Sequence, residues 1–282
     1  MGTVPKLRFL VNKYVNLFYH LSVLFAEYFS DEESSGILNN TLYRQANARL
    51  KTEKLHELFQ DLQEHSFYAW DFAGKSLSQA DTTNHVETAL KNESKKLADV
   101  WLKIYSESLP SYERIWTQTQ PRLREYMQSF QAEWSSINEP ALSKMADIAK
   151  RSWKQEHINV HFVDCVNGAS AWINDIVLPP FPNVDVEKKL LAHELAHTLL
   201  PDYALKPKLQ NLALDSNIAH TIVDLIAYFS IKEHVTDPEK RGIKPNPTYY
   251  AQVDKLYPMF EDCYKNPERY DSLDEILRQI AK

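Results

Sequence analysis

The sequence predicts a mainly α-helical protein of the α+β class, in which a helical N-terminal region precedes a region with a small antiparallel sheet. Glycine makes up only five of the 282 residues, well below the usual share of ~7%, which disfavours a turn-rich β fold. Apolar residues recur at helical spacing over most of the chain. One segment, 158–178, is instead rich in β-branched residues and alternates in polarity, as strands do.

The region 1–150 is expected to be helical throughout. Leu7, Tyr14, Leu21 and Tyr28 recur every seven residues within a wide apolar face, which predicts a buried first helix that already includes Leu7. The same spacing predicts further helices over 42–62, 85–109 (ended by Pro110), 112–137 (kinked or divided by Pro121) and 140–153.

The region 151–282 is expected to form a second domain that starts with a β-hairpin. The runs 158–166 and 169–178 flank Asn167-Gly168, and an Asn-Gly pair between two strand-like runs is a strong hairpin signal. Helical spacing then resumes, which predicts helices over 185–200 (ended by Pro201), 212–234, 247–264 and 272–281.

Composition excludes several classes of function. The 32 basic and 38 acidic residues give a net charge of −6, which argues against nucleic-acid binding. The glycines are too widely spaced for a phosphate-binding loop. The sequence contains no uncharged apolar run long enough to predict a membrane span. The two cysteines, Cys165 and Cys263, belong to no CxxC pair, so we expect a reducing, cytoplasmic setting.

The chemistry is concentrated in the predicted helix 185–200, which contains His193-Glu194-Leu195-Ala196-His197, an HExxH motif. Residues i and i+4 of a helix share a face, so the two imidazoles can bind one metal ion. All other residues from Leu190 to Leu200 are uncharged, and ionisable groups in an apolar helix need a partner or a metal. Glu194 is then placed to act as general base toward a metal-activated water.

This segment resembles the active-site helix of the zincin metallopeptidases. The resemblance covers roughly residues 158–234 and implies a zinc ion, a peptide or protein substrate, and hydrolysis of peptide bonds. Zincins place a substrate-binding edge strand just before this helix, and Ala171-Trp172-Ile173-Asn174 is similar to that edge. The resemblance therefore implies substrate contacts by Ala171, Trp172 and Asn174.

The sequence offers several candidates for the third metal ligand. In the glutamate-liganded zincins it lies in a pattern like E-x-x-x-D-x-x-A, and His220-Thr-Ile-Val-Asp224-Leu-Ile-Ala227 is similar except that histidine stands in place of the first glutamate. We expect His220 to be the ligand and Asp224 to brace it from outside the metal site. Asp224 itself, Asp215 and Glu233 are the alternative ligands.

The sequence thus favours a zinc metallopeptidase whose base is Glu194 and whose ligands are His193, His197 and His220. The alternative is a helical interaction or regulatory protein with a structural or vestigial zinc site. Such a site normally has four protein ligands and needs no base, and this argues for the enzyme.

Overall fold

The computed structural model describes residues 3–29, 50–63, 95–165, 169–172, 175–215, 218–236 and 247–281. Within these ranges the chain forms nine α-helices and four β-strands, so the predicted mainly α, α+β class is confirmed. The helices are α1 (Lys13–Phe29), α2 (Glu53–Gln63), α3 (Lys95–Ser135), α4 (Asn138–Ala149), α5 (Val184–Leu199), α6 (Asp202–Asn211), α7 (Ile218–Ile231), α8 (Pro247–Lys265) and α9 (Leu273–Ile280). The strands are β1 (Lys6–Leu10), β2 (His157–Phe162), β3 (Ser170–Trp172) and β4 (Asp175–Leu178). Short 3₁₀ helices follow α7 and α8, at Lys232–His234 and Pro267–Arg269.

The four strands form a mixed sheet in the order β1-β2-β4-β3, and the prediction of a purely antiparallel sheet is wrong. β2 pairs in parallel with β4, with Asn159 opposite Asp175, and does not form the predicted hairpin with the run 169–178. That run instead divides into β3 and β4, which pair with each other in antiparallel fashion. All four residues of β4 are buried, which is typical of a strand inside a sheet whose two faces are both covered. Asn167 and Gly168 lie outside the described residues.

The first strand was predicted to be part of a helix. β1 pairs in parallel with β2, so the helix begins only at Lys13, where the side chain of Asn12 accepts hydrogen bonds from the backbone N–H groups of Tyr14 and Val15 at 2.8 and 3.2 Å. The heptad spacing from Leu7 was misleading because Leu7, Phe9 and Val11 also alternate with period two.

Helix α3 is one continuous element of 41 residues, so the predicted end at Pro110 is wrong. Pro110 and Pro121 both lie on the exposed side of the helix, where the carbonyl groups left without an N–H donor can reach water. The burial of apolar residues on the opposite side of the helix outweighs the destabilisation by the two prolines. The N-terminal half of α3 packs with α1 and α2 in one apolar cluster, and its C-terminal half packs in a second cluster with the sheet and α4–α9.

The sheet separates two layers. Ile158, Val160 and Ile176 on one face belong to the cluster that includes α5 and α7, whereas Val163 and Val177 on the other face pack against Val15 of α1. The predicted domain boundary near residue 150 stays a prediction. Of the elements that precede this boundary, β1 is a strand of the sheet and α1 packs against the sheet. Within the described ranges, none of the helices combines the length and apolar character that a membrane span requires.

Candidate metal centre

Helix α5 carries the HExxH motif, and its bounds agree with the predicted 185–200. It begins after Asn183, whose side chain accepts a hydrogen bond from the N–H of Asp185 at 2.9 Å, and it ends before Pro201. Its apolar sides are buried against the sheet and α7. His193 and His197 keep partial exposure on one face, and Glu194 is buried beside them.

Helix α7 crosses α5 and brings a third histidine to this face. The ring centroids of His193 and His197 are 4.7 Å apart, and His220 lies 4.7 Å from the first and 5.1 Å from the second. One nitrogen from each ring lies within 4.8 Å of the others. Among the described residues, these three histidines form a group that could hold a metal ion, as the sequence predicted.

Asp224 contacts a different histidine from the one expected. We expected it to brace His220, but its Oδ1 lies 2.6 Å from Nδ1 of His193. Histidines that bind a metal through one nitrogen usually donate the other N–H to a carboxylate or carbonyl. The contact with Asp224 therefore leaves Nε2 of His193 for a metal. It also makes Asp224 a poor candidate for the third ligand.

Asp202 is a site residue that the sequence analysis missed. Its Oδ1 lies 3.6 Å from Nδ1 of His197, and its Oδ2 accepts a hydrogen bond from Lys206 at 2.8 Å. Oδ1 is buried and has no hydrogen-bond partner, so it is available to an N–H of His197. The signal in the sequence that could have identified Asp202 is its position directly after Pro201. A chain that turns sharply at the end of a helix returns toward the last turn of that helix, which here contains His197.

The surroundings set the charge of each imidazole. Burial, together with the neighbouring histidines, lowers the pKa of His197 to about 4, so this ring is neutral near pH 7. Burial also lowers the pKa of His220. Burial disfavours the charged form of His193 as well, but its hydrogen bond to Asp224 and the charge of that carboxylate outweigh this effect and raise its pKa. Neutral rings are the form in which histidine binds metals.

Burial likewise raises the pKa of Glu194 to about 7; the charge of Asp224 adds to this effect and that of His193 opposes it. Partial burial would raise the pKa of Asp202, but its hydrogen bond to Lys206 and the positive charge of that side chain lower it. The three imidazole rings, with Asp224 against His193 and Asp202 near His197, form a group that could hold a metal ion.

The other candidate ligands lie elsewhere. Asp215 is exposed just before α7, and the carboxylate of Glu233 accepts a hydrogen bond from the hydroxyl of Tyr264. Neither belongs to the metal-binding group found among the described residues.

The predicted substrate-binding residues Ala171 and Trp172 lie on β3, at the edge of the sheet next to α5. Ala171 is opposite Ile176 and packs on the core that contains α5, whereas Trp172 is opposite Asp175 on the other face. In the described part of the chain β3 pairs with β4 alone, so it lies at one edge of the sheet. Asn174 lies outside the described residues.

Comparison with known proteins identifies no relative of this chain. No protein-family profile, no curated protein and no solved structure matches the chain. The argument for function therefore depends on the residues of the site themselves.

Proposed function

We propose that this protein is a zinc-dependent peptidase of the zincin type. The observation that supports it is the group of His193, His197 and His220, with one ring nitrogen from each within 4.8 Å of the others, beside the buried carboxyl group of Glu194. Three histidines leave an open coordination position, which catalytic zinc sites have and structural sites lack.

The residues of the chain would divide the work as follows. His193, His197 and His220 would hold the metal, Asp224 would orient the ring of His193, and Asp202 lies beside His197, with 3.6 Å between its Oδ1 and Nδ1 of that ring. A bound zinc ion lowers the pKa of a water molecule toward ~7 and polarises a carbonyl group. Glu194, one residue from His193 on the same helix, accepts a proton from the attacking water and then donates it to the leaving amine.

The edge strand β3 would position the substrate. An extended peptide that pairs with a free strand edge gains backbone hydrogen bonds without a requirement for particular side chains. Because β3 contacts α5, we infer that such a peptide would run along the helix that carries His193 and His197. This arrangement supports a peptide or protein as the substrate class.

The test combines zinc content with hydrolysis. Purified protein should contain one zinc per chain by elemental analysis and should cleave fluorescein-labelled β-casein. Glu194→Gln keeps an oxygen and the shape of the side chain but cannot take the proton. It should therefore retain zinc and lose about 10²–10⁴-fold in kcat. Glu187→Gln, at the other buried glutamate of α5, is the matched control and should stay active.

Two results would contradict the proposal. Hydrolysis that persists in a zinc-free preparation would remove the metal from the mechanism. Stoichiometric zinc without hydrolysis, in wild type and Glu194→Gln alike, would favour an interaction protein with a structural or vestigial zinc site.

A further inference from the structure

A cluster of polar residues is buried on the face of the sheet opposite the histidines. Oδ1 of Asp175, the first residue of β4, accepts hydrogen bonds from Nδ2 of Asn159 at 3.0 Å and from Nε2 of His161 at 2.9 Å. His161 and Asp175 are buried. In the parallel register Asn159 is directly opposite Asp175, and His161 is two residues further along the same face.

Burial of these polar groups costs free energy, and the packing of the sheet does not require them. Buried polar groups must be hydrogen-bonded to be tolerated, and apolar residues of similar volume often stabilise a sheet as well or better. Nδ1 of His161 is buried with no hydrogen-bond partner, so the arrangement is not fully satisfied. The hydrogen bonds do fix position, because a one-residue shift of β4 would move Asp175 to the opposite face of the sheet.

The position that they fix is that of the edge strand. Asp175 is directly opposite Trp172, the last residue of β3. At the other end of β3, Oγ of Ser170 lies 3.3 Å from the hydroxyl oxygen of Tyr19 on α1. Asp175 thus fixes β4, the strand that pairs with β3, at one end, and Tyr19 contacts β3 itself at the other end.

Helix α1 is itself attached to the sheet by a buried asparagine. Nδ2 of Asn16 donates to the carbonyl oxygen of Phe162 at 3.0 Å, and its Oδ1 accepts from the N–H of Asp164 at 3.0 Å. A side-chain amide that bonds to both backbone groups holds the helix in one place along β2. Tyr19 is one helical turn further along and reaches β3 from this fixed base.

We propose that Asp175 and Tyr19 are positioning residues that hold β3 as a rigid template for an extended peptide, and that α1 is therefore part of the substrate site. The inference rests on the proposed peptidase function. A three-residue edge strand has few ladder hydrogen bonds of its own, so its mobility depends on how firmly Asp175 holds β4 beside it and on the contact between Tyr19 and Ser170.

The first measurement is hydrogen–deuterium exchange of the β3–β4 segment, which needs neither metal nor activity. Asp175→Ala and Tyr19→Phe should each speed exchange there by about ten-fold, with α5 unchanged. Asp175→Asn keeps an oxygen that can accept both hydrogen bonds, so it should exchange like wild type. Tyr105→Phe is the matched control, because it removes another tyrosine hydroxyl that bonds to α1, through the carbonyl oxygen of Tyr14 at 2.8 Å.

The second measurement is steady-state cleavage of fluorescein-labelled β-casein. The same two variants should raise KM by about three- to ten-fold and leave kcat within about two-fold, because they change the strand and not the histidines. Tyr19→Phe, which removes one oxygen at a partly buried site, keeps the test valid if Asp175→Ala fails to fold.

Each result decides one of the two claims. Unchanged exchange in Tyr19→Phe, or Asp175→Asn as fast as Asp175→Ala, would overturn the positioning role. Faster exchange with an unchanged KM would show that β3 does not receive the substrate. A wild-type protein that binds zinc but cleaves nothing would instead refute the peptidase function, and the exchange data would still test the hydrogen bonds.

Discussion

Glu187 offers a test of the structure that is independent of metal and substrate. It lies on α5, six residues before His193, and is fully buried. Its Oε2 contacts the hydroxyl of Tyr126, while that hydroxyl also lies 2.7 Å from the carbonyl oxygen of Phe181 and accepts from the N–H of Phe181 at 2.9 Å. Tyr126 has one proton for two acceptors, and Oε1 of Glu187 has no partner. The network is satisfied best when Glu187 is protonated and donates to Tyr126.

The size of the effect follows from the pKa. Burial raises the pKa of Glu187 from 4.5 to about 8, although its hydrogen bond with Tyr126 opposes this. Between these two values the folded protein holds a proton that the unfolded chain releases. The stabilisation is therefore complete below about pH 4.5 and disappears as the pH rises to about 8. From pH 5 to pH 8 the free energy of unfolding should fall by about 3–4 kcal/mol through this group alone.

Glu187→Gln replaces the carboxyl group with a neutral group of the same shape, so it removes this pH dependence. Urea titrations at pH 5 and pH 8, with EDTA present and tryptophan fluorescence as the signal, give the free energy of unfolding of both proteins. The variant should match wild type within about 1 kcal/mol at pH 5 and exceed it by about 3 kcal/mol at pH 8. Glu133→Gln is the control. The carboxylate of Glu133, on α3, is exposed and pairs with Lys188 of α5, the helix that also carries Glu187. A difference between wild type and Glu187→Gln that stays the same at both pH values would refute the reasoning.

Three further predictions concern the site and its support. Replacement of His193 and His197 together by alanine should abolish zinc binding, and near-stoichiometric zinc in that variant by elemental analysis would contradict the assignment. Asp224→Asn and Asp202→Asn should each weaken zinc binding about 10–100-fold in competition with a chelating dye, since one carboxylate lies 2.6 Å from His193 and the other 3.6 Å from His197; wild-type affinity in either would remove that residue from the site. Asn16→Ala should lower the free energy of unfolding by about 2–3 kcal/mol in urea titrations, because two buried backbone groups lose their partner; a loss below about 0.5 kcal/mol would contradict its role in attaching α1.

The local features of the site could be predicted from the sequence. The spacing of His193 and His197 places both rings on one helix face, and the uncharged residues around them indicate that the helix is buried. His220 was found through the resemblance to the zincin pattern, in which it stands where a glutamate is expected. These inferences succeed because helical periodicity and capping depend on residues within a few positions of one another. The helices from α5 to α9 were mostly predicted for this reason, although α6 was missed.

Only the tertiary structure decided which distant segments meet. Lys6–Leu10 has both helical and alternating apolar spacing, and its pairing with β2, about 150 residues away, makes it a strand. β2 lies beside β4 in parallel although the sequence between them favoured a hairpin. Asp224 contacts His193 because α7 crosses α5, and Asp202 reaches His197 because the chain turns at Pro201. Such contacts depend on how whole elements pack, which the periodicity of the sequence does not record.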